Sequence, residues 1–389
     1  MTDAVATTDS SAPDTEERPP SLTPILGPAA SAYGVWSNSA CDVQVGTWLI
    51  SKQITVGNGH LYAFWSASAQ GQVKGPIAAS LQVPPLSTEA STGFANNPGK
   101  HLALLRRRDS LGHNTRPTQT ATIWTKPNTN TETDANDVAS LTLVEMGAPT
   151  LWHQIANAVG TAGSGSSYVN VPFTCHGGLL LISASATGYS QSGGAMTGML
   201  LTISGGTQIG GIGLYADDAQ VHRAFVPQDF VHQLAPGQYT LQATPAPRTA
   251  IDGNDGYSIS IFEFAGPSSV VGVSTSSGFW TPGVPPGGSL PTPGTPGTTI
   301  VASVASSGAS TAPAGQMSQI GVNLTVGSQV CPTTISTDET ARMCMVPNDL
   351  IITNPPATLT WSLAPAQNTV VTKTDLYSVT FLAVASAWS

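Results

Sequence analysis

Apolar and polar residues alternate with a period of two through long stretches of the chain, as in 140–146, 257–264 and 377–381. This alternation is typical of β-strands that bury one face and expose the other. The stretch 179–183 is continuously apolar, which indicates a more deeply buried strand. Turn sequences such as Gly-Asn-Asp-Gly at 253–256 separate these stretches. The pattern therefore predicts a chain of short antiparallel strands.

The sequence pattern occurs three times, at intervals of about 120 residues. Asp109, Asp229 and Asp349 mark equivalent positions in the three copies, and each is followed by apolar residues. We predict that these aspartates close turns between strands. Gap-free matches join the following pairs of segments: 226–241 with 346–361, and 66–69 with 183–186. The chain is therefore predicted to contain three homologous modules.

Strands spaced every 8–12 residues in modules of roughly 110 residues predict antiparallel β-sandwiches, and the fold class is all-β. Glycine and proline are concentrated between the second and third copies, where they indicate a linker. The predicted organisation is an extended N-terminal arm (1–40), β-sandwich modules 41–148 and 149–266, a Gly/Pro-rich linker (267–299) and a third β-sandwich module (300–389).

Fixed charges are scarce, because 13 basic and 22 acidic residues make up only 9% of the 389 residues. The net charge of −9 argues against a nucleic-acid-coating protein, which needs dense Lys and Arg. Residues 1–20 are acidic and lack both a basic start and an apolar run, so we predict no signal peptide. The arm is expected either to stay disordered or to order on a neighbouring subunit.

The run Arg106-Arg107-Arg108 is the one cluster of basic residues in the sequence. The matching residues of the other two copies, 226–228 and 346–348, are uncharged. Two interpretations remain open. The arginines either form a solvated strand edge that blocks unwanted pairing, or they contact an acidic partner such as the N-terminal arm of another copy. We therefore include Arg106, Arg107 and Arg108 among the predicted docking residues.

Aromatic residues outside the predicted modules are the other docking candidates. Phe279 and Trp280 lie in the predicted linker, where exposed rings would be costly, so we expect them to anchor on a neighbouring surface; the alternative is packing onto the chain's own modules. Tyr33 and Trp36 precede the first module and are predicted to dock in the same way.

Two loops carry oxygen-bearing side chains at calcium-like spacing. The alternative is that these residues only turn the chain into the last strand of a module. The calcium candidates in these two loops are Asp134, Asn136, Asp137, Asp252, Asn254 and Asp255. No other cofactor is predicted.

No catalytic motif is complete. His-Gly-Gly at 176–178 and Gly-Ser-Gly at 163–165 lack a nucleophile elbow, and the seven histidines show no metal-ligand spacing. Cys331 and Cys344 flank a polar turn, and the sequence leaves open whether they form a disulfide. We therefore predict a non-enzymatic protein with no catalytic residues and no metal triad.

One part of the second copy matches a known pattern of sequence, in the segments Leu-Ala-Pro-Gly-Gln-Tyr-Thr-Leu (234–241) and Asp-Gly-Tyr-Ser-Ile-Ser-Ile-Phe-Glu-Phe (255–264). It resembles the jelly-roll-like, C1q/TNF-like domains of tailed-bacteriophage virion surface proteins, found in head decoration, tail fibre and baseplate. The resemblance implies a structural protein of the virion surface that is assembled in the host cytoplasm. Its implied partners are capsid or tail subunits, and the alternative is a host-glycan-binding receptor protein. Three copies in one chain permit a pseudo-trimer, and a homo-oligomer is the other expectation.

Overall fold

The computed structural model describes residues 31–40, 48–55, 60–84, 86–87, 90–113, 118–125, 130–146, 152–163, 166–264, 272–292 and 298–386. Every regular element in this part of the chain is a β-strand, which confirms the all-β prediction. No helix of the described residues is long and apolar enough to cross a membrane.

Module one (31–146) contains β1 Ser31–Ala40, β2 Trp48–Thr55, β3 His60–Gly71, β4 Gly75–Val83, β5 Leu86–Ser87, β6 Ser91–Ala95, β7 Leu102–Ala103, β8 Arg107–His113, β9 Thr118–Thr125, β10 Thr131–Glu132 and β11 Ala139–Met146. Its first sheet has the order β1-β11-β3-β8, and the short strands β7 and β10 also pair with β3. Its second sheet has the order β2-β9-β4-β6, and β5 also pairs with β4.

Module two (152–264) contains β12 Trp152–Thr161, β13 Val169–Cys175, β14 Leu179–Ser190, β15 Ala195–Ile203, β16 Thr207–Ala216, β17 Arg223–Ala224, β18 Gln228–Gln233, β19 Gly237–Pro245, β20 Thr249–Ala250 and β21 Gly256–Phe264. Its first sheet has the order β12-β21-β14-β18, and its second has the order β13-β19-β15-β16. The short strands β17 and β20 pair with β14.

Module three (272–386) contains β22 Gly272–Phe279, β23 Gly287–Pro291, β24 Thr298–Ser310, β25 Ser318–Val326, β26 Gln329–Thr337, β27 Met343–Cys344, β28 Asn348–Thr353, β29 Thr358–Pro365, β30 Thr369–Val370 and β31 Leu376–Ser386. Its sheets have the orders β22-β31-β24-β28 and β23-β29-β25-β26.

Each module therefore has eight principal strands, and their order is 1-8-3-6 in one sheet and 2-7-4-5 in the other. Two interlocked Greek keys of this kind make a jelly roll, so the predicted jelly-roll-like sandwich is confirmed. Because the strands alternate in direction, the loops after odd-numbered strands lie at one end of the sandwich. We call this the odd-loop end; the loops after even-numbered strands lie at the opposite end.

Two predicted boundaries are wrong. Residues 31–40 were assigned to an extended arm, but they form β1, the first strand of module one. The predicted linker 267–299 contains β22 and β23, which are the first two strands of module three. The strands β22 and β23 lie at the edges of their sheets. An edge strand pairs through main-chain hydrogen bonds, so it needs no run of apolar side chains and tolerates proline at its end.

The three modules are arranged around a common axis. The sixth principal strand of each module contacts the first strand of the next, in the pairs β8–β12, β18–β22 and β28–β1, and these contacts close the ring. Along β21, Ile259 and Ile261 point into the sandwich core, whereas Phe262 and Phe264 point to the axis. The apolar side chains packed at the axis come from all three modules: Tyr62, Phe64, Val144, Leu181, Phe262, Phe264, Val273, Val301 and Leu382. Burial of each such aromatic side chain stabilises the ring by about 1.5–3 kcal/mol.

Candidate functional site

The arginine cluster lies at the axis, where β8 of module one faces the other two modules. Arg107 and Arg108 are at most 2% exposed, and Arg106 is 7% exposed. Asp229 of module two lies between Arg106 and Arg108: its Oδ1 is 2.5 Å from an Arg106 nitrogen and its Oδ2 is 2.7 Å from an Arg108 nitrogen. One buried carboxylate thus accepts charge-assisted hydrogen bonds from two buried guanidinium groups.

Further bonds from these arginines connect all three modules. Arg106 donates to the Ser183 hydroxyl of module two at 2.9 Å, and Arg108 donates to the Ser303 hydroxyl of module three at 3.1 Å. The Arg108 guanidinium also lies 4.3 Å from the centre of the Phe64 ring, in a cation–π contact. These contacts hold the ring of modules closed.

The structure corrects the interpretation of this cluster. Arg106 and Arg108 form neither a solvated edge nor a contact with another molecule, because their acidic partner, Asp229, belongs to the same chain. Arg107 donates to Asp109 of its own module at 2.5 Å and to a main-chain carbonyl. Asp229 does not close a turn; it accepts bonds from two arginine side chains of module one at the axis. Asp109 instead accepts from Arg107 and from Trp65 Nε1 within module one.

Equivalent carboxylates at the axis differ in their ionisation. Burial raises the pKa of Asp229, but Arg106 and Arg108 outweigh that effect and hold the pKa below its usual value. At the equivalent position of module three, burial raises the pKa of Asp349, and the neighbouring Arg108 offsets this only in part. Asp229 is therefore the principal counter-ion of the arginines.

A second shared position lies at the odd-loop end, where the loop after the fifth strand meets the loop after the seventh. In module one, His101 Nδ1 is 2.9 Å from Asp137, and its Nε2 is 3.7 Å from Asp134. In module two, His222 makes the same two approaches, at 2.8 and 3.8 Å, to Asp255 and Asp252 respectively. Each imidazole thus presents both ring nitrogens to carboxylates.

Module three has an arginine at this position. The Nε of Arg342 is 3.4 Å from Asp375, and its terminal nitrogen donates to the Thr372 hydroxyl at 3.0 Å. Asp375 and Thr372 are equivalent to the two carboxylates of the other modules. A permanent cation in one copy indicates that the position favours positive charge. Burial lowers the pKa of His101, but its hydrogen bond to Asp137 and the neighbouring carboxylates, including Asp338, raise that pKa overall.

The calcium candidates belong to the same loops, and their carboxylates accept main-chain bonds. Asp137 accepts from the amide of Asp134 at 2.9 Å, and Asp134 accepts from the amide of Asn136 at 2.7 Å. The same two bonds, at the same lengths, recur among Asp252, Asn254 and Asp255. This geometry is that of a side-chain-closed turn. Calcium binding by these loops stays a prediction.

The predicted aromatic anchors fall into three situations. Trp280 is buried, and its Nε1 donates to the Ser306 hydroxyl of module three at 3.1 Å, so it packs on its own module and not on a neighbour. Phe279 is 53% exposed and stays available for docking. Tyr33 and Trp36 belong to β1, and their side chains lie outside the described residues.

The three cysteines among the described residues form no disulfide. Cys331 and Cys344 are buried and free, as is Cys175. Burial raises the pKa of the Cys344 thiol to about 12 and raises that of Cys331 as well. Both thiols therefore stay protonated at neutral pH and act as small apolar side chains.

Exposed apolar side chains and a polar cleft lie at the odd-loop end. Val73 and Met317 occupy the loops after the third strands of modules one and three, and Val284 occupies the loop after β22. Between modules one and two, a cleft of about 490 Å³ is lined by Lys74, Phe94, Tyr189, Gln191, Gln220, His222, Asp252 and Asn254. This end of the ring thus offers both apolar and polar contact groups.

No protein-family model matches the sequence, and no curated protein gives a significant match. Among solved structures, one described as the triple jelly roll fold and turret assembly in an archaeal virus aligns at 10% identity, over 92% of this chain and 91% of that chain, with a TM-score of 0.20. The infectious bursal disease virus Gx strain structure aligns at 9% identity over 97% and 84%, with a TM-score of 0.20. The CBM22 tandem domain from Paenibacillus barcinonensis aligns at 10% identity over 62% and 97%, also with a TM-score of 0.20. At such scores the superpositions support no inference about role, and the jelly-roll assignment depends on the strand order.

Proposed function

We propose that this chain is a non-enzymatic structural protein of a tailed-bacteriophage virion, a surface-exposed decoration, cement or fibre component that docks to capsid or tail subunits. The observation that carries the proposal is the closed ring of three jelly rolls in one chain, held by the buried bonds of Arg106 and Arg108 to Asp229. Such a ring presents three similar faces from a single folding unit, which suits attachment at a site of threefold or pseudo-threefold shape.

The odd-loop end is the proposed docking face. Val73, Val284 and Met317 are exposed at this end, and exposed apolar side chains favour protein–protein contact. The buried carboxylates are engaged in structural bonds: Asp229 accepts from Arg108, and Asp255 is bonded to His222. We therefore propose no catalytic role for them.

Particles banded on a density gradient from the producing host test the proposal. An antibody to this chain is expected to detect it in the particle band and to label the particle surface in electron micrographs. The variant V73S/M317S should attach less than the wild type, whereas V330S at the opposite end should attach normally, since Val330 is similarly exposed. A chain that stays in the soluble fraction while the particles assemble would contradict the proposal.

Host-glycan binding is the second candidate, and the cleft between modules one and two favours it. Its half-buried Tyr189 ring lies beside Asp252 and Asn254, a combination of aromatic face and hydrogen-bonding groups that suits a sugar. A glycan array probed with and without calcium tests this candidate. Binding that is lost in Y189A would support it, and an array without hits under both conditions would count against it.

A further inference from the structure

Two histidines and a glutamate come together at the end of module two opposite the odd-loop end. His153 of β12 lies directly across from Glu263 of β21, and His176 belongs to the turn between β13 and β14. Glu263 Oε2 is 2.8 Å from His176 Nδ1 and 3.8 Å from His153 Nε2. One ligand atom from each of the three side chains lies within 4.8 Å of the others.

We propose that His153, His176 and Glu263 bind a divalent transition-metal ion of the zinc class. Two imidazoles and one carboxylate form a ligand set that zinc accepts, with bonds of about 2.0–2.2 Å. Tetrahedral geometry then separates neighbouring ligand atoms by roughly 3.3 Å, which lies between the 2.8 and 3.8 Å observed here. Because all three ligand atoms already lie within 4.8 Å of one another, small side-chain rotations bring them to this separation.

The exposure of the cluster leaves room for a fourth ligand. The His176 side chain is 67% exposed and the His153 side chain 37%, whereas Glu263 is buried. A metal ion would enter from solvent above the carboxylate and keep a water molecule in its open position.

Glu263 is positioned for this role before any metal binds. Its Oε1 accepts from the amides of His176 and Gly178, at 2.7 and 2.9 Å, and from the Cys175 thiol at 3.4 Å. These bonds fix the carboxylate and leave Oε2 directed at the two imidazoles. Oε1 is therefore held by the turn, and Oε2 faces the position of the metal ion.

The charges match a divalent cation. Glu263 Oε2 faces both imidazoles and supplies the carboxylate oxygen of the ligand set. The Nδ1 of His153 is buried without a hydrogen-bond partner in the described chain, so no bond fixes that ring against rotation.

Comparison among the modules shows that the fold does not require His153. At the position of His153, modules one and three have Gly34 and Gly272, which pair across the strands with Glu145 and Ala383. Module one keeps the glutamate without the histidine, and module three has neither. A jelly roll of this chain therefore forms without His153, and this histidine is an addition specific to module two.

The other two histidine clusters have a different electrostatic arrangement. His101 and His222 each place both ring nitrogens against carboxylates, which suits an imidazolium with two donors, and Arg342 replaces them in module three. The cluster of module two reverses the ratio, with one carboxylate facing two imidazoles. One carboxylate with two imidazoles suits a bound metal cation, whereas two carboxylates around one imidazole suit a protonated histidine.

Metal titration of the full-length, chelator-treated chain tests the proposal. We expect calorimetry with Zn²⁺ to give one site per chain with a dissociation constant in the micromolar range or tighter, and Co²⁺ to give the absorption spectrum of a tetrahedral site. The variants H176A and H153G should each weaken binding at least about tenfold, since each removes one of three protein ligands. H176A changes an exposed side chain, and H153G introduces the residue that modules one and three carry, so neither should unfold the protein.

Two further variants make the result decisive. E263Q retains an oxygen for the two amides but removes the negative charge, so it should abolish binding with little loss of melting temperature. H232A alters a half-buried histidine of β18 outside the cluster and should bind as the wild type does. Millimolar binding by the wild type, equal affinity in H176A, or a loss of binding in H232A alone would overturn the assignment.

Discussion

Replacing Asp229 with asparagine is expected to destabilise the whole ring, because it leaves two buried guanidinium groups without their counter-ion. Asp229 is 2% exposed, and it contacts both Arg106 and Arg108. The substitution preserves the size of the side chain and one acceptor oxygen. Its effect therefore measures charge and not packing.

The expected magnitude follows from burial. Removing one partner of a buried ion pair costs about 3–5 kcal/mol, because the remaining charge stays uncompensated in the interior. With an unfolding entropy of about 2.1 cal/mol/K per residue, cooperative unfolding of all 389 residues converts that cost into a fall in melting temperature of about 4–6 °C. The control D217N breaks the more exposed pair of Asp217 with Arg342 and should cost only about 0–1 kcal/mol.

A double-mutant cycle separates this effect from other consequences of the substitution. R106V/R108Q replaces the two cations that contact Asp229 with neutral side chains. In that background D229N should cost less than about 1 kcal/mol, since no buried cation then depends on the carboxylate. Equilibrium urea unfolding followed by tryptophan fluorescence, together with calorimetric melting, provides the measurements. A D229N variant no less stable than D217N, or an equal loss in both backgrounds, would refute the reasoning.

Three further predictions concern pH, the boundary of module three and the oligomeric state. Because the folded-state pKa of His101 is raised, its stabilising contribution is fully present below the ordinary histidine pKa of about 6.5 and is lost as the pH rises through the folded value. The melting-temperature difference between the wild type and H101Q should therefore shrink with rising pH. The difference between H101R, which carries a permanent cation as Arg342 does in module three, and H101Q should stay constant over the same range. Trp280→Ala should cost about 3–5 kcal/mol in urea unfolding, and Phe279→Ala at the exposed neighbour less than about 0.5 kcal/mol; equal losses would contradict the assignment of Trp280 to the module core. Light scattering should give the mass of a single chain, 39.8 kDa, and a mass three times larger would contradict closure of the ring within one chain.

Local patterns were sufficient to predict the strands and their threefold repetition. Alternation at 257–264 reports burial of one strand face, and both of its faces are buried in the structure, one in the sandwich and one at the axis. The same patterns failed for β22 and β23. These edge strands contain mainly glycine, serine, threonine and proline, and their stability comes from main-chain pairing with β31 and β29, which side-chain hydropathy does not report.

Contacts between modules were beyond reach from the sequence pattern alone. Arg108 and Asp229 are 121 residues apart, and nothing local to Arg108 reveals that its strand faces a buried axis. The shared position at the odd-loop end did leave a signal, since His101, His222 and Arg342 follow one another at intervals of 121 and 120 residues. Aligning the three copies for basic residues, and not only for apolar and acidic ones, identifies that position.

The charge pattern at the axis explains why three jelly rolls in one chain differ from a homotrimer. Module one contributes Arg106 and Arg108, module two contributes Asp229, and module three contributes Asp349 and Ser303. A homotrimer of module one would bring six such arginines to the axis, while its aspartate, Asp109, already pairs with Arg107. Uncompensated buried charge of that size is prohibitive. Fusion of the modules therefore permits an asymmetric, balanced set of buried ions, and that set specifies which module lies beside which around the ring.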